Sequence, residues 1–134
     1  VDMQKAYLAV SLSHRPQLEN IIQIIHQSLS EAAIDLFVFV DHYHFNSEQE
    51  TEMMQTAFRE IEESDILIAE VSAKAIGVGV EVGYAVAKNK PVWYLRNSTA
   101  PHSSTLSGAA HEHILYKDEQ DLAAQLRFIL QKDH

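Results

Sequence analysis

The stretch GVGVEVGYA, Gly77 to Ala85, holds one carboxylate among apolar residues and glycines. Burying a carboxylate without partners costs several kcal/mol, so Glu81 needs a reason to be there. One reason is structural: the macrodipole favours an acid in the first helical turn. The other is chemical: a carboxylate lining a pocket can act as a nucleophile. Gly77 and Gly79, two apart, would let backbone approach a ligand and leave N–H groups free at a helix start. Taken alone, G-x-G lacks the third glycine and the early position of a dinucleotide fingerprint, so an NAD site is rejected. Glu70 also sits inside an apolar run and needs a partner if buried. A scaffold role and a substrate contact are both open for it.

The elements around these residues alternate. KAYLAVS (5–11) reads as a short buried strand, followed by a helix with Leu18, Ile21, Ile22, Ile25 and Leu29 on one face. IDLFVFV (34–40) is a second strand ending in Asp41-His42, and Met54, Ala57, Phe58 and Ile61 stripe a second helix. DILIAEV (65–71) is a third strand, leading directly into the helix that carries Glu81. PVWYLR and HILY are the fourth and fifth strands, and residues 118–131 form a last helix. Continuous apolar strands alternating with helices imply a parallel sheet covered on both faces. The expected fold is α/β, a three-layer, doubly wound five-stranded sheet of flavodoxin-like order 2-1-3-4-5, in one domain over residues 3–134. Ligands in such sheets bind at the carboxyl ends of the strands. Those ends carry Ser11, Asp41, His42, Glu70 and Arg96, and Glu81 should face the same crevice. Asp65 begins its strand at the far edge and reads as a turn or cap residue.

The chain has 134 residues, 46% hydrophobic, no cysteine and a formal net charge of −9. The charge argues against polymeric nucleic acid as the main ligand, though a helix N-terminus and a few hydroxyls could hold one phosphate. Disulfides and thiolate metal sites are excluded. No apolar run reaches the roughly 18 residues of a membrane span, and no signal-peptide pattern opens the chain, so the cytoplasm is expected. Val1-Asp2 read as appended residues, with Met3 the natural start.

Residues 64–96, from SDILIAEVSAKAIGVGVEVGYAVAKNK into the fourth strand, closely resemble the corresponding segment of the nucleoside 2-deoxyribosyltransferase superfamily. Within it they most resemble the 2'-deoxynucleoside 5'-phosphate N-hydrolases. The resemblance extends more weakly to residues 5–15 and 102–110. It implies an N-glycosidase acting on deoxynucleosides or their 5'-monophosphates, by hydrolysis or base exchange. Glu81 would be the nucleophile and form a covalent sugar intermediate. Tyr7, which on residue grounds alone reads as core, would position that carboxylate. Ser11 would contact phosphate, and His42 matches an active-site histidine. Ser107, or Thr105 in the same loop, would come from the partner subunit, so a homodimer is implied. Three positions depart from the pattern. Ala57 stands where the general-acid Asp is expected, Ala75 replaces a phosphate-contacting Ser, and the basic residue after Ser11 is displaced to Arg15. With Ala57 in that place, His42 and Asp41 are the nearest candidates to protonate a leaving base.

The remaining residues take plainer readings. His42-x-His44 and His111-x-His113 fall where strands meet loops, so no metal site is expected, and no cofactor either. The acidic stretch Glu48–Glu63 reads as a solvated helix face. Trp93 and Tyr94 read as core or subunit interface, and residues 102–107 as a polar loop with hydroxyls to offer. Two other functions remain open: a nucleotide-binding or sensing module without turnover, which Ala57 and Ala75 motivate, and a flavin binder.

Overall fold

The computed structural model describes residues 3–132. Val1-Asp2 and the last two residues of the expected domain, 133 and 134, lie outside the described residues. Five strands, β1 (Gln4–Ala9), β2 (Ile34–Val38), β3 (Ile66–Glu70), β4 (Val92–Asn97) and β5 (Glu112–Tyr116), form one sheet. Every pairing is parallel and the order is β2-β1-β3-β4-β5, the expected arrangement. Six helices join them: α1 (Glu19–Ser30), α2 (Phe39–His42), α3 (Glu50–Glu62), α4 (Ile76–Ala87), α5 (Ser104–Ala109) and α6 (Glu119–Lys132). No described helix is long and apolar enough to cross a membrane.

Side chains alternate across the sheet, so each strand feeds two cores. On one face Leu8, Ile68, Trp93 and Leu95 meet Ile25 and Leu29 of α1 and Leu122 and Leu126 of α6. On the other, Tyr7, Ala9, Leu67, Ala69 and Tyr94 meet Ala57 and Ile61 of α3 and Val78, Val82 and Ala85 of α4. Trp93 and Tyr94 are therefore both core residues, one on each face.

Four local differences from the sequence reading have physical causes. The first helix does not run unbroken, because Leu12–Leu18, with Pro16 inside, is a 3-10 turn and α1 starts at Glu19. Strand two stops at Val38. Leu8 pairs with Val38, and although β1 runs on to Ala9, Phe39 leaves the ladder. The chain rolls into α2 and buries Phe39 against Tyr7, Tyr43 and Phe45. The polar loop at 102–107 contains α5, whose Ser103 cap accepts a hydrogen bond from the Leu106 N–H at 3.3 Å. Finally, Glu60 departs from the solvated acidic face. It is buried, and its carboxylate accepts hydrogen bonds from Lys5 Nζ at 2.7 Å and Tyr43 Oη at 2.6 Å. Burial pushes its carboxyl up, but Lys5 and Tyr43 together hold it below the ordinary range. Asp65 caps as expected, accepting from the Lys5 N–H at 2.9 Å.

Candidate active site

Glu81 lies in the second turn of α4, beyond the first turn in which the helix dipole acts most strongly. Its inward side chain meets Tyr7, which rises from the middle of β1. The Tyr7 hydroxyl donates a hydrogen bond to a Glu81 carboxylate oxygen. Tyr7 itself is fully buried. Burial raises the Glu81 carboxyl from its ordinary 4.5 to about 7, and the Tyr7 hydrogen bond opposes that rise. Burial and the Glu81 charge push the Tyr7 hydroxyl far above its usual range. The pair is thus a proton-sensitive carboxylate aimed by a phenol that keeps its own proton.

Glu81, with Tyr7 buried behind it, opens on a cleft of about 220 Å³ at the carboxyl edge of the sheet. β1 and the turn after it supply Val10, Ser11 and Leu12, and α2 supplies Phe39 and Val40. Met53, Met54 and Ala57 of α3 form one wall, and Ala75, Gly77 and Glu81 the other. Glu81 is the only ionisable side chain among these lining residues. An apolar hollow with one carboxylate suits a nucleophile attacking a carbon centre, because few groups compete to solvate it.

A second hollow of about 370 Å³ adjoins the first across Ala75 and Val78. Lys74, Gly79, Ser103, Thr105 and Leu106 line it. Both glycines of the G-x-G have ordinary negative φ, and a Cβ added to either would meet no protein atom within 4 Å. They are not required by the backbone conformation. What they provide is open space facing the two hollows.

The sequence-derived candidates therefore separate. Tyr7, Ser11, Gly77 and Glu81 come together at the cleft, with Gly79 and Thr105 at its neighbour. His42 does not join them. It is exposed, its ring stacks on Phe37 at 4.5 Å between centroids, and its Nδ1–H donates to the Val38 carbonyl at 2.9 Å. Asp41 accepts from Arg15 Nε at 3.0 Å and Nη2 at 2.9 Å, while Arg15 Nη1 reaches Glu19 at 2.9 Å. Ser107 lines neither hollow, and its carbonyl accepts from His113 Nε2 at 2.7 Å.

Glu70 resolves into scaffold. It lies on the opposite face of the sheet from Glu81, 1% exposed. Its carboxylate accepts from the Ser72 N–H at 2.9 Å, the Ser72 hydroxyl at 2.7 Å and the Tyr116 hydroxyl at 2.5 Å. Glu70 lines neither hollow, and these donors are the partners its buried carboxylate needs. The Asn97 N–H donates to Ser72 Oγ at 2.9 Å, so the cluster ties β3, β4 and β5 together.

Sequence reasoning did not single out Leu12, Phe39, Val40, Met53 or Met54 as cleft residues. Their apolar character matches the core signal, and only the end of β2 at Val38 turns Phe39 and Val40 toward the cleft. Among the described residues no group of three or more His, Asp or Glu side chains is placed to hold a metal.

Comparison with known proteins shows the family and agrees with the fold. A family model described as nucleoside 2-deoxyribosyltransferase matches residues 6–127. A Thermofilum pendens protein provisionally named 2'-deoxynucleoside 5'-phosphate N-hydrolase 1 is 32% identical over 84 residues, 59% of this chain and 59% of that protein. The chain thus matches less than two thirds of that relative's length. The 5-hydroxymethyl-dUMP N-hydrolase of Branchiostoma floridae is 32% identical over 82 residues, 59% of this chain and 78% of that one. Among solved structures, the Clostridium botulinum CMP N-glycosidase BcmB superposes with a TM-score of 0.68 at 20% identity. That superposition covers 93% of this chain and 99% of BcmB, and it shows a shared fold.

Proposed function

Since the chain belongs to the nucleoside 2-deoxyribosyltransferase family, we propose that it is a cytoplasmic N-glycosidase acting on nucleosides or their 5'-monophosphates. The observation that carries the reading is the Tyr7–Glu81 pair at the head of an apolar cleft. The relatives named as N-hydrolases and an N-glycosidase support the same chemistry. Glu81, when ionised, attacks the anomeric carbon and displaces the base, forming a glycosyl ester. Water, or a second base in an exchange reaction, then attacks that carbon and releases the carboxylate. Tyr7 holds the attacking oxygen in line, and Ser11 is placed at the rim to contact the sugar or its phosphate.

The test pairs two measurements on one variant. Glu81→Gln should lose base release by several orders of magnitude, as nucleophile knockouts do, while its melting temperature stays at or above that of the wild type. Near-normal turnover with lowered stability would reduce Glu81 to a helix charge. A non-catalytic nucleotide-binding module is the second reading, favoured by Ala57 and Ala75 in the cleft walls. It predicts nucleotide binding with no base release.

The working unit in this proposal is a homodimer. α4 leaves Ile76 90%, Val80 44% and Val86 41% exposed, an apolar strip beside α5 that a second copy could cover. Thr105 and Ser107 on α5 would then lie near the partner's cleft.

A further inference from the structure

We propose that the Glu81 cleft is built for N-glycosides whose base carries a fixed positive charge, of the pyridinium type, and discriminates against neutral bases that need a proton in order to leave. This rests on the glycosidase reading and adds the class of leaving group to it.

When a carboxylate attacks the anomeric carbon, the electron pair of the C1'–N bond moves onto the departing ring nitrogen. A neutral base then leaves as an anion unless a general acid protonates it, and such an acid is worth roughly 10²–10⁴ in rate. Among the described residues that line the cleft, none but Glu81 can ionise. Tyr7, from β1, spends its proton on Glu81, and its raised pKa makes it a poor acid. On α2, Asp41 is held by Arg15 and His42 by the Phe37 ring and the Val38 carbonyl. On α3 the wall is Met53, Met54 and Ala57, with Ala57 only 1% exposed. Glu60, the charged residue α3 turns inward, faces Lys5 and Tyr43.

A quaternised ring nitrogen needs no acid. The same electron pair cancels its charge, and it departs as a neutral heterocycle. Water then attacks C1' of the glycosyl ester, and the C1'–O pair returns to Glu81. The hydroxyl stays on the sugar and one proton passes to solvent, which balances the reaction. The walls suit such a substrate in other respects. An ionised carboxylate in an apolar hollow attracts a cation more than a neutral ring. The Phe39 ring and the sulfurs of Met53 and Met54 are favourable contacts for a charged heterocycle. A chain with a net charge of −9 also draws cations toward it.

The test is chromatographic release of base from two groups of substrates, with wild type and Glu81→Gln. One group is nicotinamide riboside and its 5'-monophosphate. The other is neutral purine and pyrimidine nucleosides, ribo and 2'-deoxy, with their 5'-monophosphates. The expected kcat/KM for the better pyridinium substrate exceeds that of every neutral one by about 10²-fold or more, and is lost in Glu81→Gln. Across ring-substituted pyridinium ribosides, kcat/KM should fall steeply as the leaving pyridine becomes more basic. Comparing riboside with monophosphate shows whether phosphate is also needed. Ala57→Asp, which puts an acid in the wall, should narrow the gap about tenfold or more if it folds. The leaving-group series does not depend on that variant. Neutral nucleosides cleaved as well as pyridinium ones, or better, would overturn the inference and leave the glycosidase reading standing. No cleavage of either group would overturn both.

Discussion

At neutral pH the Glu81 carboxyl is divided between its two protonation states, because burial has raised it to about 7. Attack requires the ionised form, so kcat/KM should rise with pH through about 7 and then level off. Tyr7→Phe removes the hydrogen bond that favours the ionised form. The rising limb should move to higher pH, with roughly a tenfold loss below the limb for each unit moved. The same group sets a stability trend of fixed sign. Its folded pKa lies above its unfolded one, so its contribution is fully present below 4.5 and lost as pH rises through 7. Wild type should therefore weaken relative to Glu81→Gln between pH values of about 5 and 8, by on the order of 3 kcal/mol at most. Melting curves of both proteins at the two pH values measure this. A constant difference would show that burial of the charge is not what shapes Glu81.

Among the elements, α4 carries two unlike faces. Its inner side holds Glu81 and the buried Val78, Val82 and Ala85, and its outer side exposes Ile76 and Val80. Nearly all its residues are apolar, which a helix covered on one side alone does not need. Val80→Asp tests the proposed second copy. The site is open in the single chain, so the fold should lose only a few tenths of a kcal/mol from helix propensity. In a dimer it would bury an unpaired carboxylate, at a cost of several kcal/mol. Light scattering should then report a species of 15.1 kDa with an unchanged circular dichroism spectrum, against twice that mass for the wild type. A wild type already at the lower mass would remove the dimer, and a variant still at the higher one would remove the α4 strip from its interface.

At the scale of the whole molecule, sheet order and layers were legible because apolar strands alternate with helices, and α1, α3 and α6 each show one apolar stripe. The parts that were not legible depend on neighbours distant in sequence. Phe39 is as apolar as the strand before it and leaves the ladder to pack on Tyr43 and Phe45, and α5 is too short to show a period. The carboxylates make the same point. Glu60, Glu70 and Glu81 all end up inside, and the first two are partnered by Lys5, Tyr43, Ser72 and Tyr116. No spacing rule announces those partners, so whether Glu70 served scaffold or site could not be read from its own stretch. The place of Glu81 beside a cleft was legible because glycines and a helix start surround it. His42 misled because a strand end points toward the crevice in general, whereas its ring turned back onto Phe37.

The Glu70 cluster has a further consequence, for local motion. The Ser72 N–H is bound to the Glu70 carboxylate and the Asn97 N–H to the Ser72 hydroxyl, at the edge of the sheet where binding loops ordinarily fray. These two amides should exchange with solvent deuterium nearly as slowly as those in the middle of β3. Glu70→Gln should speed their exchange well before it speeds that of Leu67 or Ile68. The floor beside the cleft would then have no separate loosening step, and on heating, activity should persist until the whole fold melts.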